Sequence, residues 1–181
     1  EAYERHIKFV SMTERYLARA RQKKARVFMP ARQPRKIAPL AEVAPILRGR
    51  VALNLGNGAF KRMVMDFRTS PEILAYVNGR DVARISAAGN VTPDHVIRIK
   101  GWPLVVPAPE AGKLNEFTQG VDKALERYIA GYKAYFETQN AKADPKKKSL
   151  DPMPRVILAP GLGLFGLGAS KKDARIAADL A

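Results

Sequence analysis

The sequence predicts a mixed α/β fold, a partly antiparallel sheet flanked by helices, and three observations carry that reading. Short apolar runs at residues 51–55, 63–67, 102–106 and 155–159 have the length of strands and are bounded by glycine, proline or polar residues. Proline directly follows a hydroxyl residue at Ser70-Pro71-Glu72 and Thr92-Pro93-Asp94, a signature of helix starts. A long segment repeats Phe117, Val121, Leu125, Tyr128, Ile129, Tyr132 and Phe136 at three- and four-residue intervals, one face of a helix of about six turns. Strands and helices alternating in this order give a mixed α/β domain.

Taken in order, residues 2–20 place Ile7, Val10, Tyr16 and Leu17 at helical intervals among Arg, Lys and Glu, which predicts an amphipathic helix. Four prolines fall between residues 30 and 45, with Arg32, Arg35 and Lys36 among them, and this stretch reads as a linker. A boundary near residue 35 follows, with a helical arm and linker over 1–35 and a central α/β domain over 36–181. Gly56-Asn57-Gly58 marks a turn between the runs 51–55 and 63–67, compatible with a hairpin of those two strands. Short helices are predicted from Pro71 to about Gly79 and over 81–88. Gly120 and Gly131 weaken the long periodic helix. Residues 142–154, with Lys146-Lys147-Lys148 and three prolines, read as an exposed basic loop. Arg155 to Gly168 reads as strand, turn, strand, with a last helix capped by Ser170 and not begun at Gly163.

A chain of 181 residues accommodates one domain with appendages. It contains no cysteine, so disulfides and thiolate metal sites are excluded, and a reducing, cytoplasmic setting fits best. No apolar run approaches the roughly 20 residues of a membrane span, and the charged start at residues 1–5 is unlike a signal peptide. Because the first residue is Glu1 and the last, Ala181, lies inside a predicted helix, the chain is read as part of a longer polypeptide.

The formal charge is +15, and residues 1–50 hold 13 basic and 4 acidic side chains, a surplus of +9. Such an excess admits a nucleic-acid-binding module, acting through counterion release with Tyr128, Tyr132 and Tyr135 as stacking platforms. The helical spacing of those tyrosines favours core packing instead, and a solvated arm meeting an acidic surface explains the charge equally.

Several chemistries can be tested against the motifs. Gly161-Leu162-Gly163-Leu164-Phe165-Gly166 matches G-x-G-x-x-G after a strand, but a dinucleotide loop turns straight into its helix and is followed by an acidic residue about 20 positions on. Here a second apolar strand intervenes and the sequence stops short of that acid, so nucleotide binding is not expected. The only histidines are His6 and His95, with no H-x-H or H-E-x-x-H spacing, so no metal site is expected. No tyrosine has a lysine four residues later, so the Tyr-x-x-x-Lys dyad of short-chain dehydrogenases is missing. One anion-binding candidate remains: Asp94 and His95, followed by Arg98 and Lys100, would present an imidazole and two cations near a helix start. The plainer alternative is local capping by Asp94 and His95 with solvated cations.

The segments Met65-Asp66-Phe67, Thr92-Pro93-Asp94-His95-Val96-Ile97-Arg98-Ile99-Lys100, Pro103-Leu104-Val105-Val106, Asp151-Pro152 and Arg155-Val156-Ile157-Leu158-Ala159-Pro160-Gly161-Leu162-Gly163 together resemble the central part of bifunctional rhamnulose-phosphate aldolase/short-chain dehydrogenases. The resemblance covers roughly residues 50–181. It implies an aldolase domain before this region, with residues 1–20 as its closing helix, and an NAD-dependent dehydrogenase domain after it. It further implies a degenerate class II aldolase-like unit in which Leu162 takes the place of a zinc-ligand histidine in a Gly-His-Gly turn. For the whole enzyme it implies NAD, a divalent metal such as zinc, cleavage of a ketose 1-phosphate and a homo-oligomer. No catalytic, cofactor or metal residue carries over to this chain, whose implied role is to connect the flanking domains.

Overall fold

The computed structural model describes residues 2–22 and 29–181. Its main element is a four-stranded mixed sheet in the order β3-β6-β5-β4, formed by β3 (Val64–Arg68), β4 (Leu104–Val105), β5 (Val156–Ala159) and β6 (Gly163–Gly168). β5 and β6 form an antiparallel hairpin from Val156↔Gly166 to Ala159↔Gly163, β3 adds antiparallel to β6, and β4 runs parallel to β5. All residues of β5 and β6 are buried, as expected for strands covered on both faces.

Alternation along the strands sorts the side chains into two cores. On one face Phe165, Leu167, Ile157 and Ala159 pack with Val43 and Leu47 of α2 (Leu40–Arg50), Val51 just after it, and Phe117, Val121 and Tyr128 of α6 (Leu114–Lys142). The opposite face places Val156, Leu158 and Leu164 against Val77, Val82 and Ala178. These come from α3 (Pro71–Val77), α4 (Val82–Ser86) and α7 (Lys171–Leu180), with α5 (Pro93–Ile99) alongside. Phe67 lies against Phe165 with ring centroids 5.0 Å apart, joining β3 to the first core.

The two serine caps behave as their sequences require, whereas Thr92 precedes Pro93 at the start of α5 without a side-chain cap hydrogen bond. Ser70 accepts from the amide of Ile73 ahead of Pro71, and Ser170 accepts from the amide of Asp173 at 3.1 Å while donating to Asp173 Oδ2 at 2.7 Å. The helix after β6 therefore begins eight residues beyond Gly163, and 155–168 is strand, turn, strand. At the turn Gly161 has φ +83, a left-handed conformation that glycine adopts without strain, and its amide donates to Asn78 Oδ1 at 2.6 Å.

Two elements differ from the sequence reading. Residues 40–45 belong to α2 rather than to a linker, with Pro45 inside the helix. An interior proline costs roughly 3 kcal/mol. Val43, Leu47 and Val51, all fully buried, each return roughly 1.5–3 kcal/mol, so burial decides. The hairpin at Gly56–Gly58 also has a different second strand: β1 (Leu53–Gly56) pairs with β2 (Ala59–Lys61) as a separate ribbon, and β3 joins the main sheet. The segment before α2 is tied to the domain at Pro30↔Gly79 and Ile37↔Glu110. The first helix, α1 (Ala2–Gln22), leaves Ile7, Val10, Tyr16 and Leu17 exposed.

Helix α7 sits so close to β6 that a Cβ on Gly166 would lie under 3.0 Å from the Ala174 carbonyl oxygen and the Ala178 amide nitrogen. Gly166→Ala must therefore push backbone from backbone, and a loss of at least about 2–3 kcal/mol in chemical denaturation is expected. Gly131→Ala, on an exposed turn of α6 with nothing within 4 Å, should instead stabilise by about 0.5–1 kcal/mol. Similar effects of the two substitutions would contradict the close seating of α7.

Candidate functional site

Two places at opposite ends of β6 could carry chemistry. The first is the β5–β6 turn, Pro160 to Gly163. Its outward corner carries Leu162, half-buried against the first core, and Ile37 packs over Gly161 so tightly that a Cβ there would meet Ile37 Cγ1 at 2.8 Å. No group of three His, Cys, Asp or Glu side chains is close enough to hold a metal among the described residues. A divalent metal does not fit this turn, which offers aliphatic carbon where a ligand would have to stand. Nor does a dinucleotide fit, because Gly161 and Gly163 open β6 and not a helix.

The second place is the other end of β6, where α5, the β1–β2 ribbon and the segment leading into β5 surround a cleft of about 230 Å³. Lys61, Arg98 and Arg155 face it from three different elements, together with Asp151, Asp173 and an apolar floor that includes Met63 and Leu167. Arg155 is fixed by a two-pronged contact with Asp151, Nη1 to Oδ1 at 3.1 Å and Nη2 to Oδ2 at 2.5 Å, and by the Met153 carbonyl at 3.0 Å. Burial alone would raise the Asp151 carboxyl, but hydrogen bonding to Arg155 and its charge outweigh burial and hold it below the usual carboxylate range.

The four residues singled out in the sequence do not converge. Asp94 stands exposed in the first turn of α5. Thr92 Oγ1 lies 2.7 Å from His95 Nδ1, and His95 lines a different cavity, of about 360 Å³, with Tyr76, Trp102 and Asn90. Arg98 faces the cleft. Lys100, just past the end of α5, has φ 64 and turns inward: it is 5% exposed, its Nζ donates to the Asp151 carbonyl, and that nitrogen lies 4.0 Å over the Tyr132 ring. Asn90 donates to the Lys100 carbonyl. Burial first, then the Arg155 charge, push the Lys100 amine down to about 8, with Asp151 opposing. Tyr128 is buried, whereas Tyr135 meets Trp102 edge-on at 5.6 Å and stays half exposed.

Lys61, Asp151, Arg155 and Asp173 were not singled out in the sequence. The spacing of Asp151 and Arg155, four residues apart, was the available signal for that pair, whereas Lys61 and Asp173 reach the cleft only through the tertiary fold. No helix among the described residues is long and apolar enough to cross a membrane.

Residues 38–181 match the family model described as aldolase class II, second domain. A Bacillus subtilis (strain 168) protein, named as the uncharacterized oxidoreductase YuxG, is 25% identical over 154 residues, which cover 84% of this chain and 21% of that protein. The chain thus spans about a fifth of the length of that curated relative. No solved structure matches it.

Lys100 supplies a measurable consequence. Its folded value, about 8, lies below the ordinary 10.5, so the fold favours the neutral amine, and the unfolded chain binds more protons between those values. The contribution of Lys100 to stability therefore rises as pH climbs from about 8 towards 10.5. Measured against Lys100→Met, which carries no charge, the parent should gain in relative stability across that window. A difference that stays flat would show that the amine remains charged in the folded state.

Proposed function

Because this chain belongs to the class II aldolase second-domain family, we propose that it is a non-catalytic connecting and oligomerisation region of a larger sugar-phosphate enzyme. The observation that carries this reading is the β5–β6 turn, where Leu162 packs against the core at the position the resemblance gives to a metal-ligand histidine. The parent enzyme is read as a cytoplasmic fusion of a class II aldolase with an NAD-dependent short-chain dehydrogenase, acting on rhamnulose 1-phosphate and on the aldehyde it releases. Support comes from the oxidoreductase name of the B. subtilis relative and from its length, which leaves room for further domains. Within that enzyme, zinc and NAD would belong to the flanking domains, with residues 1–35 as the arm from the preceding domain and residues 36–181 as the connecting unit. The exposed apolar side chains of α1 favour contact with another surface.

Calorimetric titration of the chain with Zn²⁺ and with NAD checks the non-catalytic part, and no binding in the micromolar range is expected for either. Micromolar affinity for one of them would overturn it. Light scattering checks the oligomerisation part: an assembly larger than one chain is expected at tens of micromolar, and a monomer there would sink it.

A further inference from the structure

The cleft at the far end of β6 holds two cations that nothing in the fold uses. Lys61 on β2 and Arg98 on α5 are exposed side chains that line the same cleft, and neither makes a hydrogen bond or ion pair with a described residue. The other charges are spoken for. Arg155 is neutralised by Asp151, and Asp173 caps α7, with Oδ2 taking the Ser170 hydroxyl at 2.7 Å and its charge set against the positive end of the helix. Lys100 lies behind Asp151, its Nζ donating to the Asp151 carbonyl.

We propose that this cleft binds the dianionic head of a small phosphomonoester between Lys61 and Arg98. Two uncompensated cations match the charge of a phosphomonoester, about −1.5 to −2 at neutral pH, better than that of a carboxylate. Arginine offers paired donors to phosphate oxygens, and lysine adds a point charge from a different element. The free Oδ1 of Asp173 can accept from a ligand hydroxyl, and Leu53, Ile97 and Ile176 at the rim cover a short carbon chain. At about 230 Å³ the cleft suits a small molecule. It is also separate from the β5–β6 turn: Gly163 and Gly168 stand at opposite ends of β6, roughly 17 Å apart at about 3.3 Å per residue. The site goes beyond the connecting role and does not depend on it.

Titration calorimetry of the chain with glycerol 3-phosphate, inorganic phosphate and acetate tests this at physiological ionic strength. Both phosphates should bind, and acetate should bind at least about tenfold more weakly. Lys61→Ala combined with Arg98→Ala should weaken glycerol 3-phosphate by at least about tenfold, whereas Lys123→Ala with Lys133→Ala, an equal charge change on α6, should not. Circular dichroism confirms that each variant is folded, and the milder pair Lys61→Gln with Arg98→Gln replaces the alanine pair if that one is not. Parity between acetate and phosphate, equal losses in the two variant pairs, or no loss at all would each overturn the site. So would duplex DNA binding more tightly than glycerol 3-phosphate with the same dependence on Lys61 and Arg98, since the cations would then serve a nucleic-acid backbone.

Discussion

The contact between α7 and β6 sets the rest of this fold. At Gly166 and Gly168 no side chain stands between β6 and α7, and the backbone of Ala174 and Ala178 comes directly against the strand at Gly166, with that of Asp173 and Ala174 at Gly168. Backbone approaches backbone there, so the helix can occupy only one height and one register above the strand. That seating places the Ser170 cap and Asp173 at the end of β6 beside Gly168, which is how the start of α7 comes to line the cleft. It also draws Asp179 to Arg68, whose Nη2 donates at 2.8 Å while Nε donates to Asp66 at 2.7 Å, stitching α7 to β3. These ion pairs are partly solvated and worth little, so the glycine and alanine surface, not the charges, fixes the helix.

Where local chemistry decided the outcome, the fold could be read from residues alone. Ser70-Pro71 and the Ser170 to Asp173 cap specify helix starts within four residues, and the apolar period of α6 survives its glycines. Gly120 is there for packing: a Cβ would meet Pro107 Cγ at 2.7 Å. Long-range competition accounts for what could not be read. Pro45 signals a loop, and only the burial of Val43, Leu47 and Val51 against α6 and the sheet reverses that signal. Residues 63–67 form an apolar run that reads as a hairpin partner for 51–55, yet β6 offers β3 five paired positions from Val64↔Gly168 to Arg68↔Leu164, and the sheet wins.

The candidate site was less legible, for a geometric reason. Asp94, His95 and Arg98 lie on a seven-residue helix, where successive side chains turn by about 100°, so adjacent residues look into different cavities. Lys100 falls just beyond the helix end, where φ 64 reverses the chain and sends it inward. Spacing in sequence therefore held Arg98 for the cleft and removed the other three. Its companions come from positions 61, 151, 155 and 173, brought together by the ribbon, the loop after α6 and the seating of α7. Only the pair Asp151 and Arg155 is close enough in sequence to announce itself.

The two ends of β6 differ in what fills them, and that difference bears on function. At the Gly163 end, apolar side chains close over the turn: Leu162 from the turn and Ile37 from the segment ahead of α2, with Asn78 satisfying the amide of Gly161. A group that must coordinate an ion needs lone pairs facing an open position, and this end has used its open space for packing. The Gly168 end keeps water-accessible space and leaves Lys61 and Arg98 unspent. Among the described residues Lys61 and Arg98 gain no ion-pair partner in that cleft, where Asp151 is held by Arg155 and Asp173 by the start of α7, so folding stability alone gives no reason for the pair. An arrangement that stability does not favour is the natural place to look for a ligand.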